Sequence, residues 1–504
     1  MSAPSFAGES PATNTLDLDP VEVARRIVAE ADPAGALPPC KMRSVRIGSF
    51  DWSAVAAAVS ELLAADSSGN GEPNSRPTVA LLMDRTPIRR GSEEIKPAIE
   101  AALAERFDVR RIVLNDGHPE LHASESVIEE ATAAVSGATA VVSIGGGTIT
   151  DIGKVASAAA GGAPLVVVQT AASVDGFTDD VSVLLRNGVK RTTPSRWPDI
   201  VLADVDTVDQ APIAMNLAGF GELNSMFTAP ADWLLAALIG VDTSYHEAPI
   251  RVLEEVGSGV ADWSVDLGRS PEATARLTQA LAIRGIATGI SGGTACLSGV
   301  EHLVSHMLDL SNGAAHRPIG LHGAQVGAAS VVAAAAWQML FDRLETADRA
   351  ALADRLADGT LASDEPTVRE AFDQVDPSGA VAAECWSDYS KKAAALNRQR
   401  AELRGVIKDW TSVTTRLRPL VRSPDELAHG LVAAGATARL TDLNWVTGPE
   451  HAVWAVTNCA YMRNRLTVVD LLIALGWWRS TDVTEVLEMA EHSIEEAETS
   501  HAPR

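Results

Sequence analysis

Along the first two hundred residues, short apolar runs take turns with longer stretches whose apolar residues recur at helical spacing. The short runs predict strands over Val45–Gly48, Val79–Met83, Arg111–Leu114, Ala140–Ile144 and Leu165–Gln169. Solid rather than alternating apolar runs indicate strands covered on both faces. The periodic stretches predict helices over Val21–Ala31, Trp52–Leu63, Glu94–Phe107, Glu125–Val135 and Val155–Ala160. Ser67–Pro77, SSGNGEPNSRP, reads as a loop. Strands alternating with helices predict a parallel sheet clothed by helices. After residue 210 the strand signal fades, and Ala- and Leu-rich helical segments run on to residue 492. The predicted architecture is therefore an α/β domain with a parallel sheet over 43–210 followed by an all-α domain over 211–492. Residues 1–42 form an N-terminal extension, partly disordered because its first twenty residues are rich in Ser, Pro and Thr. The charged stretch 340–410 predicts helices that pack loosely.

Composition narrows the partners. A chain of 504 residues is long enough for more than one core. Asp and Glu outnumber Lys and Arg by 66 to 41, a net charge of −25 that repels a nucleic-acid backbone. A phosphate site on such a surface must be locally basic or rich in backbone N–H groups. Cys40, Cys296, Cys385 and Cys459 form no CxxC pair and read as reduced thiols. The N-terminus lacks a basic start and an apolar core, and the longest apolar run, Val326–Ala336, is too short to span a bilayer. The expectation is a cytoplasmic protein with no membrane insertion.

Three segments carry chemistry. In Ala140–Lys154, AVVSIGGGTITDIGK, a strand runs into Gly145, Gly146 and Gly147, then Thr148 and a helix containing Asp151. Consecutive glycines let backbone approach a ligand, and a helix N-terminus offers N–H groups to a phosphate. The same residues also suit a plain tight turn. Thr170–Asp180, TAASVDGFTDD, follows the next strand, where open α/β sheets bind ligands. There Asp175 could bond a substrate hydroxyl or simply form an Asx turn before Gly176. The third segment set is Glu222 in GFGELNS, His302 and His306 four apart in GVEHLVSH, and His322 in LHGAQVG. One carboxylate and two imidazoles suit zinc, iron or nickel, while scattered His and Glu serve as ordinary core or surface residues just as well.

Taken in order, GGGTITDIGK (145–154), SVDGFTDD (173–180), PDIVLADVDTVDQAP (198–212), GFGELNSMFTAPADW (219–233), SGVEHLVSH (298–306), HGAQVG (322–327) and RNRLTVVDLLIALGW (463–477) resemble the sn-glycerol-1-phosphate dehydrogenase family. That family lies within the iron-containing alcohol dehydrogenase and dehydroquinate synthase-like superfamily. The resemblance implies an N-terminal domain binding NAD or NADP, a helical domain holding one divalent metal, an active site in the cleft between them, and a homo-oligomer. It implies that Gly145, Gly146 and Gly147 receive the cofactor pyrophosphate, with Thr148, Asp151, Thr170 and Asp179 on the cofactor side. Glu222, His302 and His322 would bind the metal, zinc ahead of nickel or iron. Asp175 would contact substrate, and His306 would face it and help move a proton. The implied reaction is hydride transfer between the nicotinamide and a small phosphorylated ketone or aldehyde, dihydroxyacetone phosphate or a close analogue, with the metal holding the carbonyl oxygen.

Four positions depart from the family pattern. Glu222 stands where Asp is usual, Asp179 where a cofactor-contacting Ser is usual, Met226 where Lys is common, and Ala324 where HGE has Glu. An added acid beside a pyrophosphate is unfavourable unless it points away. Two other readings stay open: a sugar-phosphate cyclase, for which GVEHLVSHMLD is poor in Lys and Arg, and a nucleotide-binding homologue without catalysis.

Overall fold

The computed structural model describes residues 18–65, 76–118, 120–186 and 189–501. The loop expected at 67–77 lies outside them save for Arg76 and Pro77, as does the terminus before Leu18. Ten strands form among the described residues: β1 (Ser44–Gly48), β2 (Thr78–Met83), β3 (Arg89–Arg90), β4 (Glu93–Glu94), β5 (Asp108–Val113), β6 (Ala140–Gly145), β7 (Leu165–Gln169), β8 (Val181–Arg186), β9 (Val189–Pro194) and β10 (Ile200–Asp204). Six make one parallel sheet in the order β1-β10-β7-β6-β2-β5. All five predicted strands lie in it. β10 is a sheet strand that the apolar pattern left out, because its short run beside Asp199 and Asp204 does not distinguish strand from helix. The antiparallel pair β8–β9 was also missed: residues such as Lys190, Arg191 and Thr192 hide any period-two signal.

The two faces of the sheet are closed by different helices. Val79, Leu81, Val142, Ile144, Val166 and Val168 share one face with Trp52, Val55, Val59 and Leu62 of helix Ser53–Ala65 and Ile95, Ile99 and Leu103 of helix Ile95–Ala104. Successive side chains alternate between faces, so Ala80, Leu82, Val141 and Val167 look the other way and are equally buried. Each such large side chain contributes roughly 1.5–3 kcal/mol by leaving water. Ahead of β1, the described residues include a helix tied to the sheet. Asp19 caps helix Pro20–Ala31 by accepting from Val21 N at 2.9 Å, and the same oxygen takes Val45 N of β1 at 3.0 Å.

Two compact units emerge. Among the described residues, one joins 18–219 to Asp266–Ile290; the other joins Phe220–Val265 to 291–501. Helix Pro271–Ile290 thus belongs with the sheet although it falls inside the predicted helical half. Among the described residues, every regular element of the second unit is a helix. Its helix His322–Thr346 is long and apolar enough to cross a membrane, but 89% of its apolar window is buried in the chain, so it serves as a core helix. The stretch 340–410 does not pack loosely. Its helices bury Val368, Phe372, Tyr389 and Leu403 at one-per-cent exposure or less, because apolar residues at helical spacing survive among the charges. Lys392, also buried, is held by Asp470 at 2.7 Å and Ala460 O at 2.6 Å.

Candidate active site

In the helical unit, glycine brings two helices into backbone contact. A Cβ on Gly327 would lie 2.6 Å from Gly221 Cα, and one on Gly221 would lie 2.2 Å from Gly323 O. Only glycines tolerate that approach. It sets Glu222, near the end of helix Ile213–Leu223, against His322, the first residue of helix His322–Thr346. His302 comes from the first turn of helix Val300–Ala314. Its Nε2 lies 3.2 Å from Glu222 Oε1, and His322 Nε2 lies 3.7 Å from Glu222 Oε2. One ligand atom from each residue lies within 4.8 Å of the others. His306, one turn beyond His302 and half-buried, stacks on His322 with centroids 5.9 Å apart.

The opposite ring nitrogens are held as well. His302 Nδ1 lies 3.1 Å from Glu301 Oε1, and Glu301 also accepts from Gly299 N at 2.6 Å and Thr228 Oγ1 at 2.9 Å. Gln325 Nε2 donates to Asp309 (3.0 Å), so its carbonyl oxygen accepts from Ser305 Oγ (2.7 Å). Ser305 Oγ is thereby left to accept from His322 Nδ1–H at 3.0 Å. Both imidazoles consequently turn Nε2 toward Glu222, the arrangement in which an outer acceptor fixes a metal-ligating histidine. Burial alone would lower the basicity of His302, but the carboxylates of Glu222 and Glu301 outweigh it and push the ring up to about 9. In the metal-free chain a proton on Nε2 therefore occupies the place a cation would take. Donors sharing one zinc-sized ion stand about 3–3.5 Å apart, which the 3.2 Å His302–Glu222 spacing matches and the 3.7 Å spacing nearly does. The donor set fits a divalent metal.

In the sheet unit, β6 runs into Gly146, the N-cap of helix Gly147–Ala159. No side chain caps this end, its first turn carries no acid, and a Cβ on Gly146 would meet nothing within 4 Å. The helix N-terminus is thus open to an anion, with Thr148 exposed beside it. Asp151 and Asp179 do not present their carboxylates there. Lys154, fully buried, takes Asp179 Oδ1 at 2.7 Å and Asp151 Oδ1 at 3.2 Å, together with the carbonyls of Gly176 and Val181. Asp151 Oδ2 also accepts from Val183 N at 3.1 Å. The acid at 179 is accommodated because it pairs inward; burial pushes it up to about 7 even though Lys154 opposes the shift. Thr170, just beyond β7, is buried.

The segment carrying Asp175 is clamped on helix Pro271–Ile290. Buried Arg284 reaches Asp175 Oδ2 at 3.2 Å, and Thr178 Oγ1 donates to Ala282 O at 2.8 Å. A Cβ on Gly285 would lie 2.2 Å from Thr178 Oγ1 and 2.4 Å from Asp175 O. The sequence reading assigned no role to Glu301, Ser305, Gln325, Lys154 or Arg284. Glu301 flanks His302 and Lys154 closes the glycine motif, so both were in view. Arg284 is a hundred residues from its partner and carried no local signal.

The family model described as iron-containing alcohol dehydrogenase matches residues 72–212. The chain is 33% identical over 193 residues to glycerol-1-phosphate dehydrogenase [NAD(P)+] of Bacillus velezensis, covering 38% of this chain and 48% of that protein. It is 31% identical over 237 residues to the Pyrococcus furiosus protein of the same name, covering 47% and 66%. The chain belongs to the iron-containing alcohol dehydrogenase superfamily. It spans about half the length of the Bacillus relative. Two solved structures share its fold. Glycerol dehydrogenase from Schizosaccharomyces pombe aligns with TM-score 0.54 at 13% identity, covering 91% of this chain and 92% of that one. A probable glycerol dehydrogenase from Sinorhizobium meliloti aligns with TM-score 0.52 at 16% identity, covering 90% and 97%. The parallel sheet followed by a mostly helical remainder is the superfamily architecture that the resemblance implied.

Proposed function

We propose that this chain is a metal-dependent, NAD(P)-linked dehydrogenase that reduces a small phosphorylated ketone or aldehyde, dihydroxyacetone phosphate or a close analogue. The observation that carries the reading is the convergence of Glu222, His302 and His322, with both imidazoles steered from behind by Glu301 and Ser305. These three residues would hold zinc, nickel or ferrous iron. A cation of that kind supplies Lewis-acid polarisation of a carbonyl oxygen. His306, stacked on His322 but outside the ligand set, holds or moves the proton that the product hydroxyl needs. Asp175, paired with buried Arg284, accepts from a substrate hydroxyl. Gly145, Gly146, Gly147 and Thr148 receive the cofactor pyrophosphate on backbone N–H groups, which an acidic chain needs in place of a basic patch. The substrate class rests on the names of the curated relatives.

The test is purified full-length protein with zinc, nickel or ferrous iron restored, mixed with NADH or NADPH and dihydroxyacetone phosphate. Loss of the reduced-nicotinamide absorbance is expected. Silence with this ketone and with a panel of phosphorylated ketones and aldehydes, in metal-loaded protein, overturns the proposal.

A further inference from the structure

The sheet unit holds a second set of metal-ligating side chains. Past the edge strand β5 the backbone turns at Gly117, whose φ of 85° suits glycine. Asp116 on this turn is mostly buried, with its side chain only 10% exposed. Its Oδ1 accepts from His118 N at 3.1 Å and its Oδ2 from His122 N at 3.0 Å. Those two bonds place the residues bearing both imidazoles around one carboxylate. His122 Nδ1 stands 2.8 Å from Asp116 Oδ2, and the His118 and His122 rings meet edge to face at 88° with centroids 5.2 Å apart. One ligand atom from each of the three lies within 4.8 Å of the others.

A plain Asp–His hydrogen bond accounts for His122. It does not account for His118, an exposed residue whose ring is drawn onto the same corner. Two nitrogens and one carboxylate oxygen are the donor chemistry of the Glu222 centre repeated on a loop. A shared cation would sit about 2.0–2.2 Å from each donor, and cis donors at that radius are about 3 Å apart, close to the 2.8 Å observed. Backbone amides already fix the carboxylate, so little further ordering is needed to complete the set. The net charge of −25 also raises the local concentration of cations.

We propose that Asp116, His118 and His122 form a second divalent-cation site, taking a borderline ion such as zinc, nickel or cobalt and leaving its other positions to water. Because the site is open to solvent, it binds more weakly than the Glu222 centre, and its role is to staple the turn after β5 rather than to act on substrate. The site does not depend on the proposed dehydrogenase activity.

The test uses full-length protein stripped by chelator and titrated with Zn²⁺ by calorimetry and with Co²⁺ by visible absorbance. The parent is expected to bind two equivalents, one tight and one weaker. The double variant His118→Ala with His122→Ala should lose only the weaker equivalent, and Asp116→Asn should weaken it at least tenfold. His302→Ala with His322→Ala should lose only the tight one. Thermal melting of each metal-free variant checks that the fold persists; the histidine pair at 118 and 122 is partly exposed, so removing it leaves the melt unchanged. A double loop variant that binds as much metal as the parent, or cobalt and zinc titrations that the loop substitutions leave unchanged, overturns the proposal.

Discussion

Replacing Glu301 with Gln removes a charge but almost no volume. Glu301 is fully buried and takes three hydrogen bonds, from Gly299 N, His302 Nδ1 and Thr228 Oγ1. Glutamine can keep its carbonyl oxygen on Gly299 N and His302 Nδ1 while its amide faces the Thr228 hydroxyl, which can accept, so the backbone at the start of the Val300–Ala314 helix should hold. The lost quantity is the charge assistance to His302. A hydrogen bond to a charged group contributes about 1.5–3 kcal/mol and a neutral one about 0.5–1.5. The difference, roughly 1–1.5 kcal/mol, corresponds to about tenfold in an equilibrium constant. Zinc affinity of the full chain, measured by chelator competition, should therefore fall about tenfold, with the number of bound equivalents unchanged. Loss of repulsion from nearby Asp232, whose carboxyl burial and Glu301 both hold well above the usual carboxylate range, should leave the thermal midpoint equal or slightly higher. An E301Q protein that binds zinc as tightly as the parent would refute the claim that Glu301 steers His302.

Four further outcomes are expected. Metal affinity should rise about tenfold per pH unit and level off near pH 9, because below that value the His302 proton must leave before the ion binds; calorimetry in buffers of different ionisation enthalpy should show about one proton released at pH 7.5, and none would contradict the site. Lys154→Met should cost about 3–5 kcal/mol in urea unfolding because it strands Asp151 and Asp179 in the interior, whereas Asp179→Asn should cost far less. Gly285→Ala should cost about 3 kcal/mol, since its Cβ needs space held by Thr178 Oγ1 and Asp175 O; a midpoint equal to the parent's would show that the Asp175 segment is not clamped. His306→Asn should lower kcat about a hundredfold with metal content retained, and lost metal would make His306 a ligand instead.

How much was legible follows the range of each interaction. Apolar runs found the five strands Ser44–Gly48, Thr78–Met83, Asp108–Val113, Ala140–Gly145 and Leu165–Gln169, because burial on both faces writes itself into consecutive residues. They passed over β10, which its partners β1 and β7 define more than its own four apolar residues do. They also read charge along 340–410 as loose packing, although the apolar stripe beneath it is complete.

The sequence by itself determined the alternating strand–helix order, the glycine turn after β6 and the residue types of the metal set, since these depend on neighbours within a turn or a strand. Tertiary structure decided what each charge does. Asp179 looked like an intruder beside a phosphate and proves to be Lys154's partner. Asp175 looked like a turn residue and is held by Arg284, more than a hundred positions away. Glu222, His302 and His322 become one centre only where Gly221 and Gly327 let two helices touch. The physical reason is the same in each case: a buried charge is settled by the nearest opposite charge or hydrogen-bond partner in space, and chain order does not record which one that is.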